Sequence, residues 1–154
     1  MMKFQNVKPI TEIRRESANT ADEWYRSLIE SDADLEELKA AKLAQLNEAC
    51  GVAITGYFTA EVRGETYEFS YDAEAQDNFQ DTRFAFADGA VQTVRWTAHK
   101  DGQVVRIDMN ANEFNQVYYA GLAHKQAQIS RFRDELQPIV EAATTKEEVD
   151  AVNW

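Results

Sequence analysis

The most regular pattern in the chain is a set of mostly apolar positions that recur in steps of four and three residues over nearly four heptads. These positions are Tyr118, Leu122, Lys125, Ile129, Phe132, Leu136, Ile139 and Ala143. Because such spacing brings side chains to one face of an α-helix, the pattern predicts one long helix over residues 112–143. Asn110 or Asn112 can open this helix. Pro138 is expected to bend it, since proline has no N–H to donate to the Asp134 carbonyl.

Shorter stretches with helical spacing predict further helices. One begins after Asp34, which can cap its N-terminus, and is expected to end at Gly51. Others are predicted over residues 20–29 and residues 73–87. Two overlapping Thr-x-x-Glu capping boxes in residues 144–148 predict a final helical turn or two near the end of the chain.

Two further stretches alternate between apolar and polar positions around a two-residue turn, as β-hairpins do. The turns are Arg63-Gly64 and Asp101-Gly102. The pairs that these turns set on the apolar faces are Gly56 with Tyr71, Phe58 with Phe69, Ala60 with Tyr67, Val94 with Met109, Trp96 with Ile107 and Ala98 with Val105. On the opposite faces the facing residues are mostly polar. Because a shift by one residue would mix the two faces, we predict these registers for both hairpins.

Together the elements predict an α+β fold, in which two antiparallel β-hairpins pack against three or more helices, including the long C-terminal one. The pattern leaves open whether the hairpins join in one four-stranded sheet. A polar, acidic stretch over residues 30–34 has no periodic partner, so we place a boundary there. The predicted organisation is an N-terminal attachment segment, residues 1–33, extended or short-helical, and an α+β domain, residues 34–154.

The N-terminal segment carries more apolar side chains than a solvated linker needs. In chain order they are Phe4, Val7, Ile10, Ile13, Trp24, Tyr25, Leu28 and Ile29. Trp and Tyr are frequent anchors in protein–protein contacts, and clustered apolar groups usually cover a partner surface. We therefore predict that these residues bind a partner protein. The alternative is that they fold back onto the core of the same chain.

Composition narrows the class of protein. The chain has 154 residues, about one domain's length, and its 44% hydrophobic and 28% charged residues are ordinary for a soluble globular protein. The net charge of −11 opposes nucleic acid or an anionic membrane as partner. Apolar stretches are far shorter than the ~20 residues of a membrane span, and the first residues lack a signal-peptide core. We expect no membrane association and synthesis in the cytoplasm.

Isolated candidate side chains offer little enzyme chemistry. His99 lies beside a predicted hairpin turn, where a solvated residue is expected. His124 lies beside the apolar stripe of the long helix, where a partly buried, hydrogen-bonded histidine is the favoured interpretation over a general base. Cys50 is the single cysteine, so no internal disulfide can form. Its position at a helix C-terminus would raise rather than lower the pKa of the thiol, which disfavours a reactive role.

An acidic cluster is the best candidate for a metal or glycosidase site, and its members are Asp72, Glu74, Asp77 and Asp81. Ca²⁺ ligation or a paired acid and base would be its functional interpretation. However, Asp77 and Asp81 are four residues apart on one helix face, Asp72 is a natural N-cap, and the spacing is not that of an EF-hand. A solvated helix face is therefore favoured. Phosphate-loop, serine-hydrolase and zinc-protease motifs are missing as well, so we expect no catalytic residue, no metal and no cofactor.

Several motifs, taken in order, carry a resemblance to a known family. They are Asn47-Glu48-Ala49-Cys50, Ile54-Thr55-Gly56-Tyr57-Phe58-Thr59, Tyr71-Asp72-Ala73-Glu74-Ala75-Gln76-Asp77-Asn78-Phe79, Trp96 with the Asp101-Gly102 turn, His124, and Glu141-Ala142-Ala143-Thr144-Thr145-Lys146-Glu147-Glu148-Val149 with Trp154. Over residues 35–154 the chain resembles the C-terminal domain of unknown function that recurs in tailed-bacteriophage and prophage proteins from the tail-fibre region. The most specific stretches are residues 75–78 and residues 142–148. Residues 1–33 lie outside the resemblance.

The resemblance implies a non-enzymatic structural or adaptor protein of a phage tail, at the fibre or baseplate end. It implies other tail proteins as partners and the virion tail as location, after synthesis in the bacterial host cytoplasm. The alternative is a tail-fibre assembly chaperone that is absent from the mature virion. An enzyme that acts on a cell-surface glycan through the acidic cluster is a minor third hypothesis. Association with further copies of the same chain stays open.

Overall fold

The computed structural model describes residues 20–154, and these residues form an α+β fold. The helices and strands follow one another as α1 Ala21–Ile29, α2 Leu35–Thr55, β1 Phe58–Val62, β2 Glu65–Phe69, α3 Ala73–Ala87, β3 Thr93–Lys100, β4 Gln103–Asn110, α4 Ala111–Ser130, a π-helical segment Arg131–Leu136, α5 Gln137–Ala142 and α6 Lys146–Asp150. The chain divides into two compact units. Residues 20–50 and 130–154 belong to the first unit, and Gly51–Ile129 form the second.

The four strands of the second unit form one antiparallel sheet in the order β1-β2-β3-β4. Both predicted registers are confirmed within the strands, with Phe58 opposite Phe69 and Trp96 opposite Ile107. The predicted pair of Gly56 with Tyr71 does not form, since β1 begins at Phe58 and β2 ends at Phe69. In each two-residue turn both residues have positive φ angles, at 51° and 79° in residues 63–64 and at 51° and 74° in residues 101–102. This is the backbone of a type I′ turn, whose twist matches that of the strands. The hairpins join through the pair formed by Glu68 and His99, which answers the question that the sequence pattern left open.

The core of the second unit lies between the apolar face of the sheet and two helices, α3 and α4. Its fully buried members are Phe58, Val62, Phe69, Tyr71, Phe79, Ala98, Ile107, Met109, Phe114 and Val117. Aromatic rings dominate this core, and most of their contacts are edge-on or tilted, while Phe58 and Phe69 are stacked with ring centroids 5.5 Å apart. Phe79, for example, has its ring centroid 4.7 Å from that of Trp96 and 5.9 Å from that of Phe114. Large rings fix the spacing between sheet and helices, so the core tolerates little change of volume.

Helix α4 approaches the sheet closely at Gly121, which is buried. A Cβ atom at this position would lie 2.9 Å from Cε1 of Tyr71 and 3.0 Å from Cζ of Phe58. These two rings pack against each other, with centroids 5.1 Å apart. They therefore have little room to give way.

Replacing Gly121 by alanine is expected to lower the free energy of unfolding by about 1–3 kcal/mol, because the added methyl group overpacks the core. The matched control is Gly51→Ala in α2, where nothing lies within 4 Å of the added Cβ. That variant is expected to gain up to about 1 kcal/mol, since alanine is the better helix former. Urea denaturation of both variants measures the difference. Two equal gains in stability would contradict the close approach of α4 to the sheet.

A reciprocal capping box begins α4. The Glu113 backbone N–H donates to Oδ1 of Asn110 at 2.9 Å, and the Asn110 N–H donates to Oε1 of Glu113 at 3.0 Å. Arg63, in the first turn, donates to the other Glu113 carboxylate oxygen at 2.7 Å and to the Asp108 carbonyl at 2.9 Å. The turn between β1 and β2 is thus tied to the end of β4 and to the start of α4.

These contacts make the start of α4 sensitive to pH. The hydrogen bond from the Asn110 N–H, and then the Arg63 side chain, hold the pKa of Glu113 below its usual value. A depressed carboxyl pKa stabilises the fold above the usual value of about 4.3, and this contribution is lost as the pH falls through the lowered pKa. Glu113→Ala is expected to cost about 1 kcal/mol at pH 7, with a smaller deficit at acidic pH. Thermal melts between pH 7 and pH 3 measure this, with exposed Glu61→Ala as control. A deficit that does not change with pH would contradict the pairing.

The first unit has its own apolar core, to which α1, α2 and the C-terminal part of the chain contribute. Its buried members are Tyr25, Leu28, Ala33, Leu38, Ala41, Ala143 and Val149. Lys42 is buried beside this core, with Nζ 4.0 Å from the centre of the Tyr25 ring, and burial lowers its pKa. The Tyr25 hydroxyl donates to Oδ1 of Asp150 at 2.6 Å, and burial together with this hydrogen bond raises its pKa. Residues on both sides of the predicted boundary at 33/34 therefore share one core.

Two helix predictions need correction. Helix α2 is capped by Asp34 as predicted, but it continues through Gly51 to Thr55, because glycine ends a helix only where it takes a left-handed backbone. Instead of one long helix over residues 112–143, α4 ends at Ser130 and a π-helical segment precedes α5. Pro138 lies in α5, two residues after this segment. It has no N–H to donate, and its ring crowds the carbonyl of residue 134. The wider π turn accommodates it without a simple bend.

Candidate partner-binding surface

The second unit exposes aromatic side chains next to an arginine where α3 and α4 lie side by side. Phe84 of α3 is 69% exposed and Tyr119 of α4 is 50% exposed. Arg83 and Tyr118 complete the group, which we call the arginine–aromatic surface. Isolated exposed apolar residues are normal on proteins. A cluster of Phe, Tyr and Arg is different, since Tyr and Arg are enriched among the residues that dominate binding energy at protein interfaces.

Arg83 is held in place by its aromatic neighbours. Its terminal nitrogen Nη2 donates to the Tyr119 hydroxyl at 2.9 Å. The guanidinium carbon lies 4.8 Å from the centre of the Tyr118 ring and 5.4 Å from that of Tyr119. Both distances suit cation–π attraction. Because the side chain is already ordered, binding through it loses less conformational entropy than binding through a mobile arginine.

A small cavity of about 310 Å³ adjoins these side chains. Its lining consists of Gln80, Arg83, Phe84, Ala87 and Tyr118. Concave sites with a mostly apolar lining and a few polar groups receive the anchor side chain of a partner in many protein complexes. The surface therefore offers an anchor of its own, Phe84, and a cavity for an anchor from the partner.

Sequence reasoning missed this surface. Helical spacing brings Phe79, Arg83 and Phe86 to one side of α3, and the structure buries Phe79 but leaves Arg83 exposed. The available signal was an aromatic residue outside the apolar stripe of each helix, Phe84 on α3 and Tyr119 on α4. A large apolar side chain off the stripe has no core to join, and that is where an interface residue is expected.

The residues predicted to bind a partner occupy a different place. Four of them, Phe4, Val7, Ile10 and Ile13, lie outside the described residues. The other four are on α1, where Tyr25 and Leu28 are buried at 3% and 1% exposure. Trp24 and Ile29 are partly buried and pack against the same core. The surface of Tyr25 and Leu28 is thus covered by the core of the first unit, as the fold-back alternative expects, and partner binding through the N-terminal segment stays a prediction.

The remaining candidate side chains, His124, His99 and Cys50, make contacts that are typical of structural residues. The Nε2 nitrogen of His124 lies 2.9 Å from the Ala53 carbonyl oxygen, which must accept, so this nitrogen donates. His99 pairs with Glu68 across the sheet, and its ring centroid is 5.1 Å from that of Tyr57. Cys50 is buried, and burial raises the pKa of its thiol, against a smaller opposite effect of Arg133. None of these positions brings a nucleophile and a base together.

One residue of the acidic cluster has a structural role. Asp72 caps α3 by accepting from the Ala75 N–H at 2.8 Å. Glu74, Asp77 and Asp81 are exposed on that helix. Within residues 20–154, no three side chains of His, Cys, Asp or Glu are grouped so that they could hold a metal ion. In the same part of the chain, no helix is long and apolar enough to cross a membrane.

Comparison with known families shows to which family the chain belongs. The sequence profile described as "Domain of unknown function (DUF4376)" matches residues 37–153, which is most of the chain. The protein therefore belongs to this family, whose function is unknown. No curated protein and no solved structure gave a significant match.

Proposed function

We propose that the protein is a non-enzymatic structural or adaptor component of a bacteriophage tail, at the fibre or baseplate end, and that it binds another tail protein through the arginine–aromatic surface. The observation that carries the binding role is Arg83, held against Tyr118 and Tyr119 beside the exposed ring of Phe84. The phage context rests on the resemblance carried by residues 75–78 and residues 142–148.

The chemistry of this surface specifies its partner in outline. Arg83 provides a cation with N–H groups beyond the one that meets Tyr119, and these suit a carboxylate or a backbone carbonyl. The cavity beside it suits an aliphatic or aromatic anchor. The expected partner surface therefore combines an apolar side chain with an acidic or carbonyl acceptor close to it. Since this chain has a net charge of −11, a basic partner surface around that contact would further favour association.

Phe84→Ser is expected to weaken binding to the cognate tail protein at least tenfold, because a central aromatic anchor contributes well over 1 kcal/mol. The assay mixes the purified chain with each tail protein encoded beside it and measures the dissociation constant. The matched control is Val104→Ser on the sheet, since Val104 is 67% exposed and outside this surface. If both variants bind as the parent does, the arginine–aromatic surface is not the interface.

An adaptor is present in finished virions, whereas the alternative, an assembly chaperone, is absent from them. Mass spectrometry of purified virions is expected to find the protein in a fixed ratio to the other tail proteins. Absence from virions, together with binding to a fibre protein in the first assay, would replace the adaptor by the chaperone. Parent-like binding by the Phe84→Ser variant in the first assay would instead refute the surface, whatever the virion contains.

A further inference from the structure

The strand β3 has an edge that the sheet leaves open. In a hairpin with a two-residue turn, the residues next to the turn exchange hydrogen bonds and every second pair after them does so too. In β3 these residues are Lys100, Ala98, Trp96 and Val94, which bond to β4. The backbone groups of the alternate residues, Arg95, Thr97 and His99, therefore point away from β4, towards β2.

Strand β2 meets β3 only once. Its Glu68 pairs with His99, and no further pair follows along β3. Beyond Phe69 the chain leaves the sheet and begins α3 after Asp72. The register between β2 and β3 pairs neither Arg95 nor Thr97 with a residue of β2, and the Arg95 carbonyl accepts from the Arg106 side chain at 3.2 Å. A short stretch of strand edge is thus available for pairing.

This open edge forms one wall of a cleft of about 360 Å³. Ser70, which follows β2, Asn78 and Thr82 of α3, and Trp96 of β3 also line the cleft. The volume is in the lower range of binding pockets in proteins. Hydroxyl and amide side chains in such a place can complete the hydrogen bonds of a bound segment.

The charges at the cleft favour an acidic ligand. Its charged lining residues are Asp81, Arg95 and Arg106. Neither arginine takes part in an ion pair among the described residues, although the chain has 27 acidic and 16 basic residues. Arg106 donates to the Thr97 hydroxyl at 2.7 Å, which holds its guanidinium over the open edge. Guanidinium groups bind carboxylates with strong, directional hydrogen bonds.

We propose that the cleft binds an extended peptide segment of a partner protein by strand addition to β3, and that Arg95 and Arg106 bind a carboxylate side chain of that segment. The backbone N–H groups of Arg95 and Thr97 supply main-chain hydrogen bonds, as an exposed sheet edge does in other peptide-binding domains. This cleft shares no lining residue with the cavity of the arginine–aromatic surface. Its test is therefore independent of the proposed tail function.

The experiment selects heptapeptides from a random library on the immobilised full chain. Selected peptides are expected to carry Asp or Glu among β-branched residues. Arg95→Gln and Arg106→Gln are expected to weaken a selected peptide at least tenfold. Arg26→Gln, at an exposed helical position, is the matched control and is expected to leave binding unchanged. Thermal melts check that each variant is folded.

Two further measurements locate the peptide. Bound peptide is expected to shift the amide resonances of Arg95 and Thr97 and to slow their hydrogen exchange. Methylation of alternate backbone nitrogens of the peptide is expected to abolish binding, since strand addition needs those N–H groups. The proposal is overturned if selection yields nothing above the Arg95→Gln variant, if the selected peptides lack a carboxylate, or if the N-methylated peptide binds equally well.

Discussion

Replacing Phe114 by alanine is expected to lower the free energy of unfolding by about 3–5 kcal/mol. The side chain is fully buried at 0% exposure in the core of the second unit. Its ring centroid lies 5.2 Å from that of Phe86, 5.6 Å from that of Trp96 and 5.9 Å from that of Phe79. Rings from α3, β3 and α4 all contact it, so alanine leaves a cavity that no single neighbour can fill.

The chain offers a control of the same residue type. Phe84 is 69% exposed, so Phe84→Ala is expected to change stability by no more than about 0.5 kcal/mol. Calorimetric melting of the two variants separates a core ring from a surface ring. A Phe114→Ala protein that melts with the parent would refute the packing of α4 on the sheet. The two rings are expected to have different roles, since Phe84 is expected to affect binding and Phe114 is expected to affect stability.

Leu28→Ala is expected to cost about 2–5 kcal/mol, because Leu28 of α1 is 1% exposed in the core of the first unit. Ile139→Ala is the control within the same unit, since Ile139 is 54% exposed. Hydrogen exchange resolves the effect by region, and protection is expected to fall in α1 and α6. Equal, small effects of the two substitutions would show that α1 contributes nothing to this core.

A chain that begins at Asp34 tests the same packing on a larger scale. It lacks Tyr25, Leu28 and Ala33, so its first unit is expected to lose cooperative unfolding. The attachment-segment prediction makes the opposite forecast, a fragment that is as stable as the parent and unable to join its partner. Full stability of the fragment would restore α1 to the role of an anchor for another protein.

Turn and cap chemistry was predictable because it is local. The Asp101-Gly102 turn requires two residues that tolerate positive φ angles, and once it is placed, Trp96 can face only Ile107. The caps at Asp34 and Asp72 depend on a side chain and an N–H three residues apart. Such features involve residues that are neighbours along the chain, so the two hairpins, most helix starts and the α+β class follow from local sequence.

Other features depend on contacts between residues that are far apart in the sequence, so they follow only from the tertiary structure. The apolar face of α1 suited a partner protein or the chain's own core equally well, and only packing against residues near the C-terminus placed Tyr25 and Leu28. The exposure of Phe84 depends on where α4 lies beside α3. The open edge of β3 exists because β2 departs after a single pair, Glu68 with His99. The periodicity of the sequence does not predict these arrangements. Each depends on which apolar or polar surfaces come into contact when the chain folds.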